Sequence, residues 1–219
     1  MKSENADYDR IASNLRNPEG EYGLEIADMM NETNAGMIHN TLNQLALNEH
    51  QSVLELGPGN GRHCLDLLRN FPSLSYKGLD ISETMIAKAQ SLNAVFVESG
   101  NAEFIQYDGT HFPFKDQFFD HIFTVNTIYF WEHPSPLAQE IYRVCKPNAK
   151  LAICYADAEF MKTLPFTQKG YTYYQCSEVE ELLSTAGFRN ITHEQHAEEV
   201  IAKDGTPTQR TYYITTAHR

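Results

Sequence analysis

The chain has 219 residues, 42% of them hydrophobic and 21% charged, enough for one domain with its own core and too apolar for a disordered segment. Its net charge of −12, with Arg143, Lys146 and Lys150 as the longest basic feature, argues against the extended cationic face that nucleic-acid binding needs. No apolar run approaches the roughly 20 residues that span a bilayer, residues 1–10 lack the apolar centre of a signal peptide, and Cys64, Cys145, Cys154 and Cys176 form no C-x-x-C pair, so a soluble cytoplasmic protein with reduced thiols is expected.

Residues 1–50 read as a helical cap ahead of the main domain. Ile26, Met30, Met37, Ile38, Leu42 and Leu45 recur near helical spacing, and the pattern is broken around residues 31–36. Residues 51–219 form the second unit, in which strands and helices alternate. The spacing predicts a strand over 52–56, a helix with Cys64, Leu65, Leu68 and Phe71 on one face, and a second strand over 75–79 that ends at Asp80. Ser82 stands where a helix N-cap is wanted, and Met85, Ala89, Leu92 and Phe96 predict one continuous helical stripe. Further strands are predicted over 102–107, 119–125 and 150–155, with helices over 135–145 and around Val179–Ala186, the latter stopped by Gly187. Two terminal strands follow, near 188–194 and 211–216, joined through Gly205 and Pro207. The expected fold class is α/β: a Rossmann-like seven-stranded sheet, mostly parallel, with one antiparallel strand near the C-terminus and helices on both faces.

The strongest motif is Val53-Leu54-Glu55-Leu56-Gly57-Pro58-Gly59-Asn60-Gly61. A buried strand delivers the glycines to the carboxyl edge of the sheet, where open α/β folds bind ligands, and the glycines allow a close backbone approach. An ordinary tight turn and a dinucleotide loop are the alternatives. The dinucleotide fingerprint is G-x-G-x-x-G, whereas here the spacing is G-x-G-x-G behind Glu55, a carboxylate better suited to an ammonium group than to a pyrophosphate. In this motif the chain resembles the class I S-adenosylmethionine-dependent methyltransferases. The resemblance implies that Glu55, Gly57, Gly59 and Gly61 hold the methionyl part of the cofactor S-adenosyl-L-methionine. It implies that Asp80 accepts from both ribose hydroxyls, with Ile81 and Met85 beside it, and that Asp108 and Gly109 meet the adenine. It places Asn126 at the fourth motif, after Phe118-Phe119-Asp120. Arg143-Val144-Cys145-Lys146-Pro147-Asn148 is similar to the family's R-V-L-K-P-G-G turn, with Asn148, which tolerates positive φ, in place of a glycine. Asp120 and Arg143 read as structural.

The implied reaction is in-line displacement at the sulfonium methyl, driven by positioning, so no obligatory catalytic side chain is named. The acceptor is expected to be a small molecule docking beyond the fourth strand, against Tyr129 and Trp131, with Phe130 packing away and Tyr22 contributed by the cap as a lid. His111 and His133 stand near this rim but read as surface or capping residues. His193 and His196, spaced i, i+3 on a strand, face opposite ways, and no metal site is expected. Two rivals remain: a nicotinamide-dependent oxidoreductase, which the glycine spacing and Glu55 disfavour, and a non-catalytic S-adenosylmethionine-binding protein.

Overall fold

The computed structural model describes residues 2–201 and 207–219, with side chains over 7–200 and 207–219. Three helices come first: α1 (Lys2–Arg16), α2 (Gly20–Thr33) and α3 (Ala35–Leu45). The expected break over 31–36 narrows to one residue, Asn34, whose carbonyl still accepts from Ile38. The core domain then alternates as β1 (Ser52–Leu56), α4 (Cys64–Asn70), β2 (Ser75–Asp80), α5 (Glu83–Leu92), α6 (Ala94–Glu98), β3 (Ala102–Gln106), β4 (Phe119–Val125), α7 (Pro134–Val144) and β5 (Cys145–Ala156). It closes with α8 (Ala158–Thr163), α9 (Cys176–Ala186), β6 (Arg189–Ile201) and β7 (Pro207–His218).

Among the described residues the strands form one seven-stranded sheet in the order β3-β2-β1-β4-β5-β7-β6. Pairings from β3 through β5 are parallel, and β7 runs antiparallel to both of its neighbours. The strand reversal at β7 is therefore the one expected. β1 is buried along four of its five residues, as a central strand covered on both faces must be. Helix α7 turns Leu137, Ala138, Ile141 and Val144 inward, and Pro134 begins it without losing a needed N–H. Gly187 ends α9 at φ 107, a conformation open to glycine at little cost.

The departures from expectation have local causes. The stripe from Met85 to Phe96 is two helices, because buried Asn93 interrupts it and its side-chain amide donates to the carbonyls of Gly61 and Ala89. β5 begins five residues earlier than predicted, running through Pro147 and through Asn148, whose φ of 66 confirms the tolerance assigned to it. β6 runs seven residues past its predicted end and β7 extends beyond its prediction at both ends, the two pairing from Arg189–His218 to Ile201–Pro207; the connection over 202–206 lies outside the described residues. Asp120 accepts from the Ser52 backbone and hydroxyl and from Lys146, tying β4 to its neighbours, and Arg143 reaches Glu140, Asp116 and the carbonyls of Phe112 and Phe114. Both are structural, as read. Among the described residues no helix is long and apolar enough to cross a membrane.

Candidate active site

The parallel strands β1, β2 and β4 all end at one edge, and a cleft of about 200 Å³ opens there under the cap. Its floor is the glycine loop. Gly57 and Gly59 have φ values of 73 and 57, and a Cβ on Gly59 would meet nothing within 4 Å, so the loop presents bare backbone to open space. Gly61 differs. A Cβ there would sit 3.0–3.1 Å from Ala89, Asn93 and Phe104, which makes it a packing residue against α5, and it does not line the cleft. That corrects its expected place on the cofactor: the third glycine lets a helix approach, while the first two face the cavity.

Asp80, 6% exposed, closes β2 and holds the loop in shape. One of its oxygens accepts from Gly59 N at 3.0 Å and the other from Ser82 N at 2.9 Å, and the residue lines the cleft. Burial pushes its pKa up to about 6, against the pull of the Ser82, Gly59 and Ile81 amides. Ser82 caps α5 through Met85 N at 3.1 Å, which is the role its position predicted.

Glu55 is buried and lines the same cleft. Its carboxylate meets His63 Nε2 at 2.8 Å and accepts the Tyr76 hydroxyl. Burial works against a charged His63, but Cys64 and Glu55 beside it prevail and hold its pKa well above the ordinary histidine value. The two side chains thus form a hydrogen-bonded pair in the wall. Glu55, His63 and Cys64 bring three donor atoms within 4.8 Å of one another, and His63 has no counterpart in the sequence expectations.

Ile81, Met85, Asp108, Gly109, Asn126 and Trp131 also line the cleft. Asp108 is exposed and already committed: its oxygens accept from the backbones of Thr110 and His111 and bond the His111 ring, which together hold its pKa down at about 2. Asn126, at φ 59, donates to Asn34 Oδ1 at 3.1 Å and so joins β4 to the cap. His111 and His133 do not line the cleft.

The aromatic run is placed opposite to expectation. Tyr129 is buried beneath the loop, where its hydroxyl accepts from Ala156 N and donates to Asn126 Oδ1 at 3.0 Å; a phenol finding two partners inside has no reason to face the cleft. Phe130 lines the cleft instead, its ring 4.7 Å from that of Tyr171. Trp131 donates to Thr127 Oγ1 at 3.2 Å and keeps its ring in the wall. Tyr22 is also corrected. It lies on the side of α2 that faces α1, under the Arg10 guanidinium at 3.9 Å, outside the cleft lining.

The cap reaches the cleft through Leu15, Arg16, Met30, Asn31, Asn34 and Ile38. It is bonded to the sheet edge at several points: Ser82 Oγ to Pro18 O, Thr84 Oγ1 to Gly20 N, Asn60 Nδ2 to Asp28, and an ion pair between Arg16 and Glu132. From the far side, buried Arg210 of β7 binds Glu198, Asn34 Oδ1 and the Thr33 carbonyl, fixing the α2–α3 corner. Glu55, Asp80, Asp108 and Glu132 outnumber Arg16 and His63 around the cavity, a balance that favours a cationic ligand.

Residues 54–153 match the family model described as "Methyltransferase domain". The chain is 30% identical over 158 residues to the uncharacterized methyltransferase YdaC of Bacillus subtilis, covering 70% of this chain and 84% of that protein. It is 29% identical over 128 residues to phthiotriol/phenolphthiotriol dimycocerosates methyltransferase 1 of Mycobacterium ulcerans, covering 58% of this chain and 45% of that one. In fold it is similar to the Haemonchus contortus N-methyltransferase 2 solved with phosphomonomethylethanolamine and S-adenosylhomocysteine, with a TM-score of 0.72, 16% identity, and coverage of 95% and 60% of the two chains. With the glycine loop behind Glu55 and this strand order, the YdaC relationship settles the kinship: the chain belongs to the class I S-adenosylmethionine-dependent methyltransferase family.

Proposed function

We propose that the chain transfers the methyl group of S-adenosylmethionine to a small, largely apolar acceptor in the cytoplasm, and that nucleic acid is not its substrate. The observation that carries this reading is the open space over Gly59, beside the buried Asp80 carboxylate that lines the same cleft, a cradle that a single Cβ would begin to fill. In it, Asp80 accepts from the ribose hydroxyls, Glu55 faces the ammonium group, and Ile81, Met85 and Gly109 bound the adenine. The bound sulfonium supplies an already activated methyl carbon. What the protein adds is placement and dryness: Phe130, Trp131 and Met30 form the wall for the acceptor, while the cap excludes water.

The Mycobacterium relative is named for phthiotriol and phenolphthiotriol dimycocerosates, and the Haemonchus structure holds phosphomonomethylethanolamine. Those molecules differ too much in size and polarity to choose between, so the acceptor class is taken from this chain's own apolar wall. Four free cysteines, three of them buried, suit a reducing compartment. Calorimetric titration tests the cofactor. S-adenosylmethionine and S-adenosylhomocysteine are expected to bind, NADH is not, and Asp80→Ala is expected to lose both. Binding of NADH alone, or no binding by folded protein, overturns the reading.

A further inference from the structure

His63 is the N-cap of α4 and Cys64 its first residue, and both bring a donor atom to Glu55 of β1. The Nε2 atom of His63 lies 2.8 Å from the Glu55 carboxylate and 3.6 Å from the Cys64 sulfur. One ring nitrogen therefore faces two neighbours, with a single proton or a single lone pair to meet them. A metal ion resolves such a meeting, because each donor directs its own lone pair at a common centre. With bonds of about 2.0–2.3 Å, a tetrahedral ion sets its ligand atoms about 3.3–3.7 Å apart. The imidazole and sulfur already stand at that spacing, and all three donors lie within 4.8 Å of one another.

The chemistry of the donors and their burial narrow the ion. A thiolate with an imidazole and a carboxylate suits zinc and ions like it, whereas magnesium and calcium take oxygen ligands. Cys64 is fully buried, and the side chains of Glu55 and His63 are 2% and 15% exposed. Glu55 and His63 line the cleft and Cys64 does not, so an ion enters from the cleft side, with the sulfur behind it and its fourth position toward the cavity. We infer that Glu55, His63 and Cys64 form a binding site for a thiophilic divalent ion of the zinc class, and that this ion competes with S-adenosylmethionine. Ligation sends the Cys64 thiol proton to solvent and requires His63 Nε2 to be free of its own. The metal site stands on the donor geometry alone, and only the competition rests on the cofactor reading above. A bound ion takes the carboxylate that faces the cofactor's ammonium and sets a second positive charge beside a cationic ligand.

Cobalt(II) reports the ligands directly, since a thiolate ligand gives a charge-transfer band in the near ultraviolet and a tetrahedral site gives intense visible bands. Titrated into the full chain, kept reduced, it is expected to show both at one equivalent. Cys64→Ala is expected to lose the charge-transfer band and to bind zinc at least about tenfold more weakly, while binding S-adenosylhomocysteine within about threefold of the parent. His63→Gln is expected to weaken zinc likewise, and Cys176→Ser to leave the band unchanged. With zinc held at about ten times its dissociation constant, S-adenosylhomocysteine is expected to bind the parent about tenfold more weakly and Cys64→Ala as it does without zinc. A parent protein without the charge-transfer band, or a band that persists in Cys64→Ala, overturns the site. Zinc that binds there without weakening S-adenosylhomocysteine overturns the competition. Failure of the metal-free parent to bind S-adenosylhomocysteine removes the cofactor reading and the competition with it, and the cobalt spectrum still decides the site.

Discussion

The two glycines that face the cleft make a paired test, because the structure gives them the same backbone strain and different surroundings. Gly57 and Gly59 both lie in the left-handed region, where a Cβ costs about 1–2 kcal/mol. Part of that, about 0.4–1 kcal/mol, is offset by the stiffer unfolded chain of an alanine variant. At Gly59 nothing further is added, since the new methyl enters open space, and Gly59→Ala is expected to lose only about 1 kcal/mol of stability. At Gly57 the methyl would come closer than 3.0 Å to the γ-methyl of Thr127, whose hydroxyl is pinned by Thr124 and Trp131 and cannot easily turn aside. Overpacking of that kind adds about 1–3 kcal/mol, so Gly57→Ala is expected to cost about 2–4 kcal/mol. For a chain of this length those losses are drops in Tm of about 2–4 °C and about 5–15 °C. Cofactor affinity should follow a different order. The methyl of Gly59→Ala occupies the cradle itself, and S-adenosylhomocysteine binding should weaken at least about tenfold despite near-normal stability. Thermal melts and calorimetry on the same samples read both quantities. Gly59→Ala protein that binds S-adenosylhomocysteine like the parent would refute the cradle. Gly57→Ala protein that melts like the parent would refute the Thr127 contact.

Asp80, with a pKa pushed up to about 6 by burial, should make cofactor binding pH-dependent. Only the ionised carboxylate can accept from two hydroxyls as well as two amides, so affinity should be level above about pH 7 and fall toward tenfold per unit below about pH 6. The stability of the free protein should drift the other way: a carboxyl whose pKa is raised by folding binds its proton more tightly when folded, so stability declines as pH rises from about 4 to about 6. Calorimetry across about pH 5–8 checks the first trend, and a flat affinity would contradict it. The aromatic run offers a third test. Tyr129→Phe leaves Ala156 N–H and Asn126 Oδ1 without a partner and should cost about 1–3 kcal/mol in urea unfolding. Phe130→Ala should instead leave S-adenosylhomocysteine affinity intact and raise the KM for an acceptor by about 10–100-fold.

The sheet and its glycine loop were legible because each is written locally. Short apolar-rich runs between turn residues mark the parallel strands, Ser82 and Gly187 mark helix ends, and Asn148 marks a left-handed turn. Features that depend on a distant partner were not. Asn93 breaks a helix whose apolar stripe continues past it, and only the Gly61 carbonyl, 32 residues away, explains the break. Tyr129 and Phe130 are neighbours of similar size. Which one faces the cleft is decided by the turn of chain at Asn126 and by the Ala156 amide, neither visible in a pattern of aromatics. The long ends of β6 and β7 mix Thr, Glu, Gln and His without an alternating apolar face, so their pairing follows from each other rather than from periodicity. His63 and Asn31 carry no sequence signal for the cleft at all. One opens a helix and the other lies near the end of one, and the folded chain brings them to the same wall.

Arg210, which anchors the α2–α3 corner, lies 176 residues beyond Asn34, its partner there. At translation rates of about 5–20 residues per second, that anchor leaves the ribosome roughly 10–35 s after the corner it secures. β7 is also made after β6, although it lies between β6 and β5 in the sheet. During synthesis, then, the cap waits without its clamp, and the edge of β5 stays open to pairing with any neighbouring nascent strand. Slow elongation downstream of β6 would prolong that exposure.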